Sequence, residues 1–157
     1  TCKPCDRVIL AWTLSPDSIQ KRFELGTPSL AARIAAMKKM IALGWRVRCC
    51  IDPILPIGEN WKEEYRDLIR LLRENLPADS ISELSLGTFR IAKQYLKRLG
   101  EVRPSSLLVH QTLHTSNGIS ALPTTNQQHI LDFVTEEALN WLPASRIHKM
   151  VIPHENS

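Results

Sequence analysis

Three apolar runs in this 157-residue chain end in small polar residues, and chemistry is expected at those ends. Val8–Trp12 passes into Thr13 and Ser15, the run from Arg46 closes on Asp52-Pro53, and the run from Ile81 carries Ser85 into Gly87-Thr88. Hydroxyls and one carboxylate make a rim suited to hydrogen-bonding a small molecule. The same residue types also serve local structure: Ser15 and Thr88 fit helix N-caps, and Asp52 fits a turn before proline. Cys2-x2-Cys5 is half of a zinc or redox signature, but no second C-x-x-C follows. The adjacent Cys49 and Cys50 would point to opposite faces of a strand, so the pair gives one ligand at most. These cysteines read as a terminal lead-in and two small fillers, with no metal expected. His110 and His114 form no H-E-x-x-H and lie outside any periodic run, so they read as exposed loop histidines. Lys38, Lys39, Arg46 and Arg48 read as a solvated basic face. No Walker loop or G-x-G-x-x-G is present.

The elements that must position these residues alternate in type. Val8–Trp12 is a strand, Ser15-Pro16-Asp17 opens a short helix to about Phe23, and Thr27-Pro28 opens a longer one that Gly44 stops. Leu30, Ile34, Met37 and Ile41 form its buried stripe. Arg46–Asp52 alternates, with Val47, Cys49 and Ile51 on one face. Asn60-x-x-Glu63 has the form of a capping box, with Trp61, Tyr65, Leu68 and Leu72 behind it. Ile81–Leu86 is a third strand, and the helix after Gly87-Thr88 carries Ile91, Tyr95 and Leu99 up to Gly100. Segment 101–123 reads mainly as a long loop. A last helix starts near Thr125 with Ile130, Val134, Ala138 and Trp141 as its stripe, and Ile147–Ile152 is a candidate last strand.

Strands alternating with helices imply crossover connections and parallel pairing. The fold class expected is α/β: a fragment of a partial (β/α) barrel with three to four parallel strands and helices on the outer face. Residues 1–100 carry the β-α-β-α-β-α portion and 101–157 a diverged carboxyl-terminal extension. A complete eight-unit barrel needs about 250 residues. The sheet is therefore either open or part of a larger barrel, and its exposed edges favour self-association.

Apolar residues make up 43% and charged residues 23%, a globular balance. Twenty Lys+Arg against sixteen Asp+Glu give a net charge of +4, interspersed, which permits a phosphate-rich partner without indicating one. The apolar runs are too short to cross a bilayer and no signal-peptide pattern is seen, so a cytoplasmic protein without membrane contact is expected. The chain opens Thr1-Cys2-Lys3 without methionine, which reads as processing or as a piece of something longer.

Four motifs, in order, carry a family resemblance. WTLSP-(x)6-FELGTPSLAARIAAMKKMIALGWRVRCCIDPILP, Trp12 to Pro56, resembles the later barrel strands of the spore photoproduct lyase family of radical SAM proteins. Asn60–Tyr65 resembles its G-W-x-x-x-Y helix start, and Ser85-Leu86-Gly87-Thr88-Phe89-Arg90 its S-L-G-T-x-R strand end. The resemblance implies a barrel holding a [4Fe-4S] cluster and S-adenosylmethionine (SAM), whose cleavage to a 5′-deoxyadenosyl radical starts repair of a thymine dimer in DNA. It also implies SAM contact by Thr13 on the W-[ST]-L motif. Ser15 and Asp52, which border the same cavity, complete the expected cofactor-binding set.

The sequence also departs from the family pattern. C-x3-C-x-x-C is missing, and Asn117-Gly118-Ile119-Ser120-Ala121-Leu122-Pro123 stands where the family has D-G-K-x-R-Y-P, a hairpin that contacts damaged DNA. The expectation is a carboxyl-terminal part, inactive alone, completed by an upstream segment or partner chain that brings the cluster. Any DNA binding is expected to be weak. The alternative is a non-catalytic half-barrel module that assembles through its sheet edge.

Overall fold

The computed structural model describes residues 3–152; Cys2, half of the C-x-x-C spacing, lies outside them. Four strands form a parallel sheet in the order β1 (Ile9–Thr13), β2 (Arg46–Ile54), β3 (Ile81–Thr88), β7 (Ile147–Met150). The crossovers between them carry α1 (Asp17–Phe23) and α2 (Leu30–Ala42), then α3 (Trp61–Asn75), and finally α5 (Thr124–Leu139).

One apolar cluster explains why these helices stay on the same side. Val47, Cys49 and Ile51 of β2 and Leu84 and Leu86 of β3 meet Ile34 and Met37 of α2, Tyr65, Leu68 and Leu72 of α3, and Leu131 and Val134 of α5. From Arg46 to Asp52 the burial on β2 alternates, so the residues between them face the other way. Trp141 belongs to this core through packing, although α5 already ends at Leu139, and its indole Nε1 donates to Leu76 O at 3.0 Å.

Helix boundaries follow backbone chemistry more closely than sequence spacing. α2 starts two residues later than Thr27-Pro28 suggests, because the Ser29 side chain accepts from Ala32 N and Ser29 is the cap. Its end is a Schellman arrangement: Gly44 at φ 86° donates to Ile41 O and Trp45 donates to Met40 O. Asn60 makes no side-chain cap, and α5 begins behind Pro123 instead of on a Thr125 box. Ser15 does not cap α1 either; Pro16 occupies that position.

The segment after β3 differs most from the sequence reading. Strand β3 runs on to Thr88, and Arg90–Ala92 form strand β4, so Ile91 lies in a strand and not on the stripe of a helix. The helix α4 spans Lys93–Val102 and runs through Gly100. Within the expected long loop, β5 (His114–Ser116) and β6 (Ile119–Ala121) form a hairpin that adds to β4 in an antiparallel sheet ordered β4-β6-β5. Asn117 at φ 48° and Gly118 at φ 78° supply the two left-handed positions of a type I′ turn. Opposite each other on the hairpin, Thr115 and the buried Ser120 share a hydroxyl hydrogen bond of 2.7 Å.

Gln127 joins the ends of the two sheets. Its fully buried amide donates to Leu122 O at 2.7 Å and Ile152 O at 3.1 Å, and accepts from Ile152 N at 2.9 Å. Truncating it would remove three hydrogen bonds that tie these two chain ends together. Gln127→Ala should lower unfolding free energy by about 2 to 3 kcal/mol in urea titrations; a loss under about 0.5 kcal/mol would show that the amide is not a structural tie.

Candidate functional site

The face of the parallel sheet opposite the helices carries the polar side chains. Register places Thr13, Cys50, Ser85 and His148 side by side across all four strands. Paired residues in a ladder share a face, so two hydroxyls, a thiol and an imidazole form one lateral row. A second row, nearer the strand starts, holds Ala11, Arg48 and Glu83. Arg48 donates to Ser85 Oγ at 2.7 Å. Its Nε lies 2.7 Å from Glu83 Oε1 without an aligned hydrogen bond, so that contact is ionic. His148 Nε2 approaches the other Glu83 oxygen at 3.5 Å.

Beyond the row, at the carboxyl ends, Asp52 and Arg90 form a bidentate pair. Arg90 donates to Asp52 Oδ1 at 2.7 Å and Oδ2 at 2.9 Å. These hydrogen bonds hold the Arg90 guanidinium above its ordinary pKa, against the opposing effect of partial burial. Gly87 makes room for the pair: a Cβ there would lie 2.7 Å from Asp52 Cγ and Oδ1. Pro53 and Phe89 join Asp52 and Arg90 around a shallow cleft of about 300 Å3. Beneath it, Ile19, Leu55 and Phe89 gather the chain just past β1, β2 and β3 into a second apolar cluster. Leu55 N–H donates to the buried Tyr65 hydroxyl at 2.8 Å, which fixes the loop that follows Asp52-Pro53.

The three residues singled out in the sequence sit at this end of the sheet in different states. Thr13 is exposed, and its carbonyl accepts from Arg33 at 2.9 Å. Ser15 is buried and donates to Glu24 Oε1 at 2.6 Å, while Arg33 pairs with Glu24 Oε2 at 2.6 Å. Ser15 therefore braces the loop behind Thr13. Asp52 belongs to the ion pair. Thr88 is buried, and its carbonyl accepts from Arg90 at 3.3 Å.

The two strand cysteines separate as alternation requires. Burial pushes the Cys49 thiol up to about 12, which leaves it an inert filler. Cys50, half-buried on the polar face, is also raised by burial, with Arg48 pulling the other way. His110 bonds to Pro104 O at 2.8 Å, and His114 begins β5, so the two share no helix. Lys38 and Lys39 lie on α2, away from Arg46 and Arg48 on the polar strand face, which splits the basic cluster. Among the described residues no group of three His, Cys, Asp or Glu could hold a metal ion. Among them also, no helix is long and apolar enough to cross a membrane.

Residues 5–109 match the family model for spore photoproduct lyase, more than half of the chain. The chain belongs to the spore photoproduct lyase family. Over 68 residues it is 37% identical to the spore photoproduct lyase of Bacillus subtilis (strain 168), a stretch covering 43% of this chain and 20% of that protein. A solved mutant of spore photoproduct lyase, with bound AdoMet and dinucleoside spore photoproduct, superposes with a TM-score of 0.73 at 18% identity. The match covers 90% of this chain and 43% of that one. A second structure, spore photoproduct lyase complexed with dinucleoside spore photoproduct, gives 0.72 at 18% identity with the same coverage. The parallel sheet and its helices thus match a fragment of the spore photoproduct lyase barrel. The chain spans less than half the length of these relatives.

Arg90 is the site residue that sequence reading passed over, although it closes the family-like Ser85–Arg90 motif. The signal was an arginine just past a glycine at a strand end, with a carboxylate closing the neighbouring strand. Gly87→Ala should destabilise the protein by about 1 to 3 kcal/mol through this clash. Gly87→Ala in an Asp52→Ala background should cost clearly less, as a double-mutant cycle would read. Equal costs in both backgrounds would show that the carboxylate does not need the space.

Proposed function

We propose that this chain is the carboxyl-terminal barrel wall of a radical SAM protein of spore photoproduct lyase type, with the cluster supplied by a segment or chain outside it. The observation that carries this reading is a parallel sheet covered by helices on one face, with a polar row and a buttressed carboxylate at the carboxyl ends of the other. In barrels that face lines the interior, and the strand ends hold the ligand.

AdoMet bears an amino acid moiety and a ribose diol, and the donor set here suits them. The exposed Thr13 hydroxyl both donates and accepts. Asp52, with each oxygen receiving one Arg90 N–H, keeps lone pairs for an ammonium or a ribose hydroxyl. When bound, AdoMet supplies a sulfonium that accepts one electron, chemistry that no side chain provides. This chain's residues would orient it: Ser15 and Arg33 hold the Thr13 strand end, Arg90 fixes the carboxylate, and the Ile19–Leu55–Phe89 cluster keeps water from beneath the site. A four-iron cluster finds no ligand set among the described residues, so no step is assigned to it within this wall. DNA as the family's substrate belongs to the completed protein.

Iron and sulfide reconstitution, run on the 157-residue chain and on the longest native reading frame that contains it, tests this reading. Cluster absorbance and cleavage of SAM are expected from the longer product alone. Thr13→Val in that product should weaken SAM binding about 5- to 10-fold, the loss of one hydrogen bond to a bound ligand. A cluster assembled by the short chain, or SAM binding indifferent to Thr13, would overturn it.

A further inference from the structure

We infer that residues 90–121 form a flap that docks on the parallel sheet and melts off it as a unit, that the Arg90–Asp52 pair is its latch, and that a ligand held on Asp52 keeps it closed. The latch stands on its own geometry; only the choice of AdoMet as the closing ligand rests on the barrel-wall reading.

Burial sets this segment apart. From Arg90 to Ile119 no residue is buried, although β4, α4 and β5 lie within that stretch and β6 begins at its end. α2, α3 and α5 each bury a stripe of side chains, whereas α4 buries none. Order in the segment comes from its own hydrogen bonds. β6 pairs with both β4 and β5, Lys93 N–H donates to Gly118 O at 2.9 Å, and Thr115 meets Ser120. Three-residue strands without a core of their own do not persist in water. Undocking therefore releases these hydrogen bonds together, which makes the segment a cooperative unit of low stability.

Two features dock it. Ile91, Leu108 and Leu113, each half-buried, rest against the Ile19–Leu55–Phe89 cluster. Arg90 grips Asp52 with two charged hydrogen bonds. This pair sits at the root of the flap, at the first residue of β4, so it acts on everything that β4 and β6 hold. The strand-end cleft is built from both sides: Asp52 and Pro53 come from β2, Phe89 and Arg90 from the root. It is complete only with the flap docked. A ligand on Asp52 uses the lone pairs that Arg90 leaves free, in the orientation that Arg90 fixes. It thus binds the docked state more tightly and, by linkage, closes the flap.

Amide hydrogen exchange read by mass spectrometry on the 157-residue chain tests the latch. Amides of β4, β6 and the first turns of α4 should exchange through one common opening, faster than those of β2 and β3. R90Q should raise their exchange about tenfold, the loss of one bidentate charged pair, and leave β2 and β3 within about twofold. R90K, which keeps the charge without the fork, should fall between. R66Q, which breaks an ion pair between α3 and α5, should leave the flap at its wild-type rate. Protection of 90–121 equal to that of β2 and β3, or flap exchange unchanged in R90Q, would overturn the flap. In the longer product, AdoMet should slow flap exchange about fivefold or more in wild type and less than about twofold in R90Q. AdoMet binding that leaves wild-type flap exchange unchanged would overturn the linkage. An R90Q effect in the 157-residue chain, with no AdoMet binding by the longer product, would refute the barrel-wall reading and leave the latch standing.

Discussion

A parallel sheet whose helices all lie on one side leaves a face of strands in need of a counterpart. Right-handed crossovers force this geometry: each strand-helix-strand unit returns to the same side when successive strands are neighbours. Here β1, β2, β3 and β7 are added in one direction, so α2, α3 and α5 share a face and a core. Parallel sheets are ordinarily covered on both faces. This one answers with chemistry: the uncovered face replaces the Val47–Cys49–Ile51 pattern by Arg48, Cys50 and Asp52, and adds Glu83, Ser85 and His148. Ion pairs satisfy these groups well enough for the wall to stand, while the strand ends remain polar and open.

The Asp52–Arg90 pair joins two structures that sequence order alone does not connect. Asp52 belongs to the parallel sheet and Arg90 to β4 of the antiparallel one, 38 residues on. Gly87 lets the carboxylate sit tightly against β3, and the guanidinium then anchors β4 and, through it, the hairpin. Gln127 closes the same assembly from the other side, by bridging the end of the hairpin to the end of β7. A ligand at the strand ends would therefore meet a rim whose parts are mutually braced. That is the preorganisation a binding wall requires.

How much of this was legible follows from the range of each signal. The alternation of Val47, Cys49 and Ile51 and the stripe of Leu30, Ile34 and Met37 are local patterns, and the structure contains both. Ile91, Tyr95 and Leu99 also share helical spacing, yet Ile91 pairs with Ser120 in a strand, because an antiparallel partner about thirty residues away outweighs a weak local preference. The three-residue strands β5 and β6 are too short to show a period. Ser15 illustrates a different limit: its position fits a cap, but Glu24, held by Arg33, offers the stronger acceptor. Arg90 was visible as part of a motif, while its role depends on a carboxylate that the chain brings back only on folding.

Native-state hydrogen exchange on the isolated, monomeric chain tests the unfinished-wall account most directly. The account predicts amides of β2 and β3 protected to the level of global unfolding, with the outward-facing amides of β1 and β7 exchanging through local opening alone. Uniform protection of β1 and β7 at the level of the central strands, in a chain shown to be monomeric, would mean that both edges are already covered and would contradict it.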